Sequence, residues 1–337
     1  MPEIRVTVAI PTLAADSKLA DCIRSLEAQS WKDFDVVVVD NSGKRLARER
    51  LGVGTCVQII ENMDNRGFGA AINQVYSRSS APFLATLNDD AIASPEWLGE
   101  LVAVIESRPD AGMCASQVRL LGTGRLDSAG MLICADGSSK QRGHMGRPEE
   151  YQRQEEVLLP SGSAALYRRA MLDEVGGFDE DFFLYCEDTD LGLRAQWAGW
   201  KCVYAPRAVV DHAYSHTAGR ATPLKAYYVE RNRLFLLVKN FPMGGLLVAP
   251  LVSLVRYWWH LVFMLRGRGA AARYREDGNG GVGLAGLVIR AHWELIRNWN
   301  KLWKKRGVVR KLARVTGKEF GRLLRAHRIG AREVAEL

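Results

Sequence analysis

Residues 182–200, FFLYCEDTDLGLRAQWAGW, place three carboxylates in four positions of a segment with helical spacing. At about 100° per residue, Leu184, Asp188, Leu191 and Ala195 fall on one stripe. Asp190 points the opposite way, with Arg194 four residues on, as in a solvated ion pair. An ionised carboxylate on an apolar stripe is costly unless it is paired, metal-bound or open to a polar cleft. Chemistry is therefore assigned to Asp188, with a raised pKa expected, while Asp190 reads as structural. The residue types leave Glu187 without a role.

Other segments admit two readings each. LNDD (87–90) closes an apolar run with an amide and two carboxylates. Such groups suit a hard divalent cation, which takes one or two protein oxygens and leaves the rest to phosphate and water. They equally suit a turn before a helix at SPEW. NRGFGAAIN (65–73) sets glycines at a loop-to-helix junction, where amides and the helix dipole favour phosphate. It lacks the dinucleotide fingerprint and the Walker lysine, so a plain turn competes. Asp40 and Asn41, after VVVV, fit a base or ribose edge, or a strand-end turn. His212, after AVV, is a metal ligand or a hydrogen-bonded core histidine.

The elements that must position these residues alternate. Strands are expected at 4–10, 34–40, 57–62 and 82–90, with helices at 17–29, 69–79 and after Pro95. The run FDVVVVD suits a parallel strand covered on both sides. That alternation predicts a doubly wound α/β domain, with polar residues gathered beyond the carboxyl ends of its strands, where ligands of open sheets bind. Residues 112–158 are Gly-rich and mixed, and read as irregular, a loop open to motion. Order resumes at 161–176, then at the opening helix and a strand in KCVYAPRAVVDH; from about 222 the chain turns helical. The expected division is an α/β domain over 1–221 (halves of about 1–110 and 111–221) and a helical, basic region over 222–337.

The 337 residues are 47% apolar and 25% charged, a globular composition. No leader sequence is visible, and the six scattered cysteines without CxxC fit a reducing compartment. Charge is uneven: residues 266–337 hold 18 Lys and Arg against 6 Asp and Glu, against 28 and 32 elsewhere. Such a tail calls for an anionic partner, a membrane surface or nucleic acid. Residues 241–265 are apolar, but the longest uncharged piece is 15 residues and contains Pro242, Gly244, Gly245 and Pro250. A spanning helix wants about 20. Arg256 and His260 beside Tyr257, Trp258 and Trp259 fit an interfacial segment better. In WELIRNWNKLWKKRGVVRK, Trp293, Ile296, Trp299 or Asn300, and Trp303 share a side amid lysine and arginine, the pattern of a helix on an anionic bilayer or of a basic helix packed on the domain.

Taken together, VAIPT (8–12), VVVVDNSG (36–43), NRGFGAAIN, LNDDA, residues 161–200, AVVDH (208–212) and YYVERNRLFLLVKN (227–240) resemble the family-2 glycosyltransferases of the GT-A fold. The resemblance spans about residues 5–240 and is nearest to the bacterial rhamnosyltransferase-like branch that builds surface polysaccharides. It implies a Rossmann-like nucleotide-sugar domain with a mainly parallel mixed sheet. It also implies a nucleotide-diphosphate sugar as donor, often dTDP-rhamnose, and Mn²⁺ or Mg²⁺. By position, it assigns Pro11, Thr12, Asp40 and Asn41 to the nucleotide, and Arg66, Gly67 and Asn73 to the loop and helix beside the sugar. Asn88-Asp89-Asp90 takes the DxD place, with Asp90 on the metal and His212 completing that site. Glu187-Asp188 matches the ED motif, whose aspartate is the general base, and Gly162, Ser163, Phe178 and Asp179 fall on the acceptor side. His216 and Thr217 depart from the family's small or glycine-rich continuation.

Glycosyl transfer from a nucleotide diphosphate asks for a cation on the leaving group and one carboxylate for the acceptor hydroxyl's proton. One base without a covalent nucleophile implies inversion. A polyprenyl-linked or glycan acceptor would be met at the cytoplasmic face of the inner membrane, by a peripheral enzyme held through 241–337. Self-association is a further option. Competing readings are transfer of another sugar (galactofuranose, glucose or GlcNAc) from a UDP- or GDP-donor to a soluble or protein acceptor, a nucleic-acid-binding protein using the basic tail, and a catalytically silent scaffold. The acidic body and the lack of a recognised binding module weigh against nucleic acid.

Overall fold

The computed structural model describes residues 4–14, 17–52, 57–213, 222–276 and 281–337. The chain divides into two compact units, Met1–Met131 with Gln141–Thr217, and Leu132–Lys140 with Ala218–Leu337.

The first unit is built on one mixed sheet. Its strands are β1 (Val6–Thr12), β2 (Phe34–Asp40), β3 (Gln58–Glu61), β4 (Phe83–Leu87), β5 (Ala91–Ala93), β6 (Ala111–Leu120) and β7 (Arg125–Ser128). After β8 (Met131–Ile133) and β9 (Ser139–Gln141), which pair with each other, come β10 (Glu155–Val157), β11 (Ala164–Arg168) and β12 (Lys201–His212). The order is β10-β12-β6-β11-β4-β1-β2-β3, with β5 added beside β12 and β7 beside β6. The β4-β1-β2-β3 half is parallel, β11 runs against both its neighbours, and β6 and β12 are parallel. Helices α1 (Lys18–Glu27), α2 (Leu46–Leu51), α3 (Phe68–Arg78), α4 (Trp97–Glu106), α5 (Arg169–Val175) and α6 (Glu187–Trp197) connect these strands.

Strand alternation feeds two cores. Val6, Val8 and Ile10 of β1 join Leu19, Leu26, Trp97 and Leu101, while Ala9 joins Ile72, Val75, Leu191 and Ala195. The segment 112–158, expected to be irregular, instead supplies β6 at the centre of the sheet. Its pattern is obscured because Ser116 and Gln117 are buried there, accepting from the Trp97 indole (2.8 Å) and donating to the Tyr204 hydroxyl (2.9 Å) respectively. A hydrogen bond makes a polar residue acceptable in a central strand, and a pattern search scores it as loop.

The second unit holds residues 132–140 of the β8–β9 hairpin with α7 (Pro223–Asn240), α8 (Met243–Leu265), α9 (Gly269–Glu276), α10 (Gly281–Leu312), α11 (Gly317–Ala326) and α12 (Ala331–Glu336). The apolar run at 241–265 forms one 23-residue helix, α8, with Pro250 inside it. Arg256, expected at a membrane interface, is buried. Its Nε donates to Asp136 Oδ2 (2.5 Å) and its terminal nitrogen to Glu230 Oε2 (2.8 Å). Arg233, fully buried on α7, donates to the Asp136 carbonyl (2.9 Å) and pairs with Glu230, which also accepts from Tyr257.

Burial alone would raise the Glu230 carboxyl, but the Arg256 and Arg233 guanidiniums pull it well below its ordinary range. Its contribution to stability is thus complete above the unfolded carboxyl's pKa and lost as pH falls below it. Glu230→Gln leaves two buried guanidiniums against one carboxylate and is expected to lower stability by about 3–5 kcal/mol at neutral pH, read by urea denaturation. A loss under about 1 kcal/mol would show that the cluster contributes little.

Candidate active site

The opening segment is not helical throughout. Phe183, Tyr185 and Cys186 all have positive φ (61°, 68° and 66°), so the helix starts at Glu187 and Leu184 lies outside it. Three left-handed non-glycine residues in four positions are costly, and such strain persists only where surrounding structure enforces it. Nor is α6 amphipathic. Glu187 and every residue from Thr189 to Trp197 are buried, and Asp188 alone is partly open. Asp190, expected in a solvated pair, is fully buried. It accepts from Arg194 Nε (2.8 Å), and the remaining nitrogens of Arg194 donate to the carbonyls of Val175 (2.6 Å), Gly176 (3.0 Å) and Gly177 (2.7 Å).

Asp188 Oδ2 accepts from the Gly162 amide (2.9 Å), and Oδ1 from the Thr189 amide (2.6 Å) and hydroxyl (3.2 Å). Desolvation raises its pKa against these hydrogen bonds. Glu187 is raised well above the carboxylate range, by burial first and then by the charge of Asp188. Its Oε2 has no hydrogen-bond partner. Two adjacent carboxyls thus divide into one that is buried, with its charge disfavoured, and one that is partly open and fixed by amides.

Strand pairing assembles a second cluster. β4 ends at Leu87, so Asn88-Asp89-Asp90 is the turn into β5, and the β5–β12 register sets Ala91 opposite His212. Asp90 Oδ1 consequently lies 3.0 Å from His212 Nε2, and Asn88 Nδ2 3.2 Å from the same nitrogen. His212 Nδ1 lies 3.0 Å from Asp127 Oδ2, and Asp127 Oδ1 lies 3.3 Å from His144 Nδ1. Burial opposes charge on His212, but Asp127 and Asp90 outweigh it and raise its pKa to about 9. Burial likewise opposes ionisation of Asp90, whose pKa is lowered by His212 and by the charge of Lys18. Asp127, His144 and Lys18 escaped the sequence reading. Asp127 sits in RLDSAG, which carries no spacing that ties it to a histidine 85 residues away.

These residues fit a divalent cation. Neighbouring ligands of an octahedral ion bonded at about 2.1 Å stand about 3.0 Å apart, which is the Asp90–His212 spacing. Among the described residues no group of three or more His, Cys, Asp or Glu converges, so phosphate and water would complete the shell.

The two clusters meet through backbone. β11 pairs with β4, and the Asn88 amide donates to the Ser163 carbonyl (2.8 Å), one residue from the Gly162 amide that holds Asp188. Thr12 Oγ1 donates to Asp89 Oδ2 (2.5 Å) and accepts from the Ala14 amide, placing the Pro11–Thr12 strand end beside the same turn. Asp40 is buried, with both oxygens accepting from turn amides, those of Ser42 and Ala47 (each 2.8 Å). Asn41 bridges the Gly67 carbonyl and the Asn62 amide. Arg66 is exposed and makes no hydrogen bond or ion pair among the described residues. Asn73 holds the Phe178 backbone through both its amide atoms (2.9 Å each). Phe178 is buried edge-on against Phe68 and Tyr167, and Asp179 caps the turn at Asp181. These two shape the loop ahead of α6 from beneath. His216 and Thr217 lie outside the described residues.

The family model described as Glycosyltransferase like family 2 matches residues 2–234. The chain belongs to glycosyltransferase family 2. Among its relatives, the N-acetylglucosaminyl-diphospho-decaprenol L-rhamnosyltransferase of Mycobacterium tuberculosis is 50% identical over 70 residues, 20% of this chain and 23% of that protein. The match thus spans under a quarter of that relative's length. The O-antigen chain rhamnosyltransferase RfbN of Salmonella typhimurium is 26% identical over 223 residues, 64% of this chain and 68% of its own. A structure of GalNAc-T7 with UDP, GalNAc and Mn²⁺ aligns at TM-score 0.57 and 14% identity, covering 70% of this chain and 48% of that one. The fold of this family-2 chain is thus GT-A, and Asn88-Asp89-Asp90 and His212 stand at the carboxyl ends of β4 and β12.

The loop at Arg66 and Gly67 is held by a glycine that nothing larger replaces. Gly67 has φ 85° and ψ 171°, and a Cβ there would lie 2.2 Å from the Phe183 carbonyl oxygen. Gly67→Ala is expected to cost at least about 1–3 kcal/mol from the backbone alone. It should also shift the 183–186 loop, read as a fall in melting temperature with a comparable loss of donor affinity. An unchanged melting temperature would contradict this geometry.

Proposed function

We propose that this protein is an inverting glycosyltransferase that moves a sugar from a nucleotide-diphosphate donor to a lipid-linked or polysaccharide acceptor. Rhamnose from dTDP-rhamnose is the first choice of donor. The observation that carries the reading is Asp188: the one partly open residue of a sealed helix, with one oxygen fixed by the Gly162 amide, next in the chain to the Ser163 carbonyl that accepts from the Asn88 amide of the Asp90 turn. The names of the mycobacterial and Salmonella relatives support rhamnose and a diphospholipid acceptor.

Asp188 takes the proton of the attacking acceptor hydroxyl, with Oδ1 held by the Thr189 amide and hydroxyl and Oδ2 by the Gly162 amide so that the carboxylate does not rotate away. Asp90 and His212 hold the cation, which when bound neutralises charge on the departing diphosphate. Exposed Arg66, at the N-terminal end of α3, is placed to add a second positive charge there. Burial and the Asp188 charge disfavour ionisation of Glu187, which limits its repulsion of the incoming hydroxyl's developing charge.

Asp188→Asn is expected to cut transfer at least about 10³-fold while donor affinity stays within about twofold. Wild-type rates should rise with pH through a pKa above the ordinary aspartate value, because only ionised Asp188 accepts the proton. A donor screen with dTDP-, UDP- and GDP-sugars, Mn²⁺ or Mg²⁺ and an EDTA control reads both. Turnover retained in Asp188→Asn would sink the assignment.

The same reading places the enzyme on a membrane surface. α8 is long and apolar enough to cross a bilayer by length and composition. We read it as lying along the surface, because its two faces differ. Leu247, Leu251, Leu254, Trp258, Leu261 and Leu265 are exposed, whereas Ala249, Ser253, Arg256 and Phe263 are buried, with Arg256 ion-paired. On α10, Ile289, Trp293, Ile296, Trp299 and Trp303 form a second exposed stripe, with Lys301, Lys304 and Lys305 close by. Apolar stripes rimmed by cations bind anionic lipid surfaces. Replacing Leu247, Leu251 and Trp258 together by Gln is expected to weaken sedimentation with anionic vesicles by tenfold or more. Unchanged sedimentation would refute the surface role of α8, and resistance of the wild type to alkaline extraction would favour a spanning helix.

A further inference from the structure

Asp127 and His144 lie behind the His212 side chain and have no place in the chemistry described so far. Asp127 is 2% exposed and stands at an irregularity of the sheet. β7 pairs Ser128 with Val118 and Leu126 with Arg119, so consecutive partners on β6 face residues two apart on β7, and Asp127 is the extra one. A bulge of this kind re-aims a side chain. Here Oδ2 comes within 3.0 Å of His212 Nδ1, while His144 Nδ1 lies 3.3 Å from both the Asp127 carbonyl and Oδ1, so the two imidazoles flank one aspartate. His212 lies beside the same β6 strand, opposite Leu120, so bulge and histidine share one scaffold.

We propose that Asp127 is a positioning residue for the cation site: it accepts from Nδ1 of His212, so that when a cation takes the place of the Nε2 proton the Nε2 lone pair is aimed at the space beside Asp90, while His144 braces Asp127 from the other side. The imidazole has two nitrogens, and in its neutral form only one carries a lone pair. A carboxylate accepting from Nδ1–H decides which, fixes the ring plane and makes Nε2 more electron-rich. The Asn88 amide, 3.2 Å from Nε2, approaches that same nitrogen on the side of the Asp90 turn. A buried, unpaired His212 could rotate about its side-chain bonds; with Asp127 present, rotation breaks a charge-assisted hydrogen bond in a site closed to water.

The inference rests on Asp90 and His212 being the cation ligands, and the experiment separates the two claims. Mn²⁺ affinity of the full-length protein with dTDP or UDP present is measured from the free Mn²⁺ signal in electron paramagnetic resonance. Wild type, Asp127→Asn, His144→Ala and His212→Ala are compared, each with its melting temperature. His212→Ala is expected to weaken Mn²⁺ most. Asp127→Asn should weaken it by about 10–100-fold, the usual effect of losing an outer partner of a metal-bound histidine, and His144→Ala by a smaller factor. If His212→Ala weakens Mn²⁺ and Asp127→Asn lowers only the melting temperature, the positioning role is overturned and Asp127 is structural. If His212→Ala has no effect, the ligand assignment itself fails.

Should Asp127→Asn not fold, the wild type decides alone. Nitrogen-15 spectra of its Mg²⁺–nucleotide complex should show His212 protonated at Nδ1 and bare at Nε2. A proton on Nε2 in that complex would overturn the proposal.

Discussion

The buried pair of Asp190 and Arg194 is the constraint on which the candidate site depends. With both charges removed from water, each must be met by geometry, and Arg194 meets the remainder with three carbonyls at the end of α5. α6 is thereby clamped to the turn at 175–177, and rotation about its axis would leave a guanidinium unpaired. That clamp leaves Asp188 as the helix's one partly open position and holds it against the Gly162 amide. The strained residues 183–186 ahead of it are the consequence: the chain must enter a helix whose orientation is already set.

Register does for the cation cluster what the ion pair does for α6. Asp90, His212 and Asp127 come from three separate strand regions, and each is delivered by hydrogen bonding of backbone rather than by attraction between side chains. β5 pairs with β12, β12 with β6, and β6 with β7, the last with one residue to spare. A slip of one residue in any of these ladders would turn its side chain to the other face of the sheet. The pairing of β11 with β4 then joins this cluster to Asp188 through the Ser163 carbonyl and the neighbouring Gly162 amide, so the Asp90 turn and Asp188 share one backbone frame.

The helical unit follows a related logic with the faces exchanged. Its interior holds two carboxylates and two guanidiniums that satisfy one another, while large apolar side chains lie outside. A helix with charge inside and leucine outside is inverted relative to the usual pattern of a helix in water. Arg256 on α8 shows why composition misled: an arginine in an apolar run reads as a residue reaching toward head groups, yet its partners Asp136 and Glu230 lie 120 and 26 positions away in the chain.

The sequence by itself determined the α/β alternation, the bounds of most of the first strands and helices, the family, and the pairing of Asp190 with Arg194. Those features are local, since side-chain period, β-branching and short motifs act over a few residues. It misread 112–158, because the Ser116 and Gln117 that break the apolar pattern find partners only across the sheet. It made α6 amphipathic and its ion pair solvated, because helical spacing gives a direction but not what lies in that direction. It passed over Asp127 and His144, since nothing along the chain distinguishes a bulged aspartate from a turn aspartate. Tertiary structure decided these points, because burial, ion pairing and register are properties of residues far apart in sequence, and each takes its energy from the water that packing excludes.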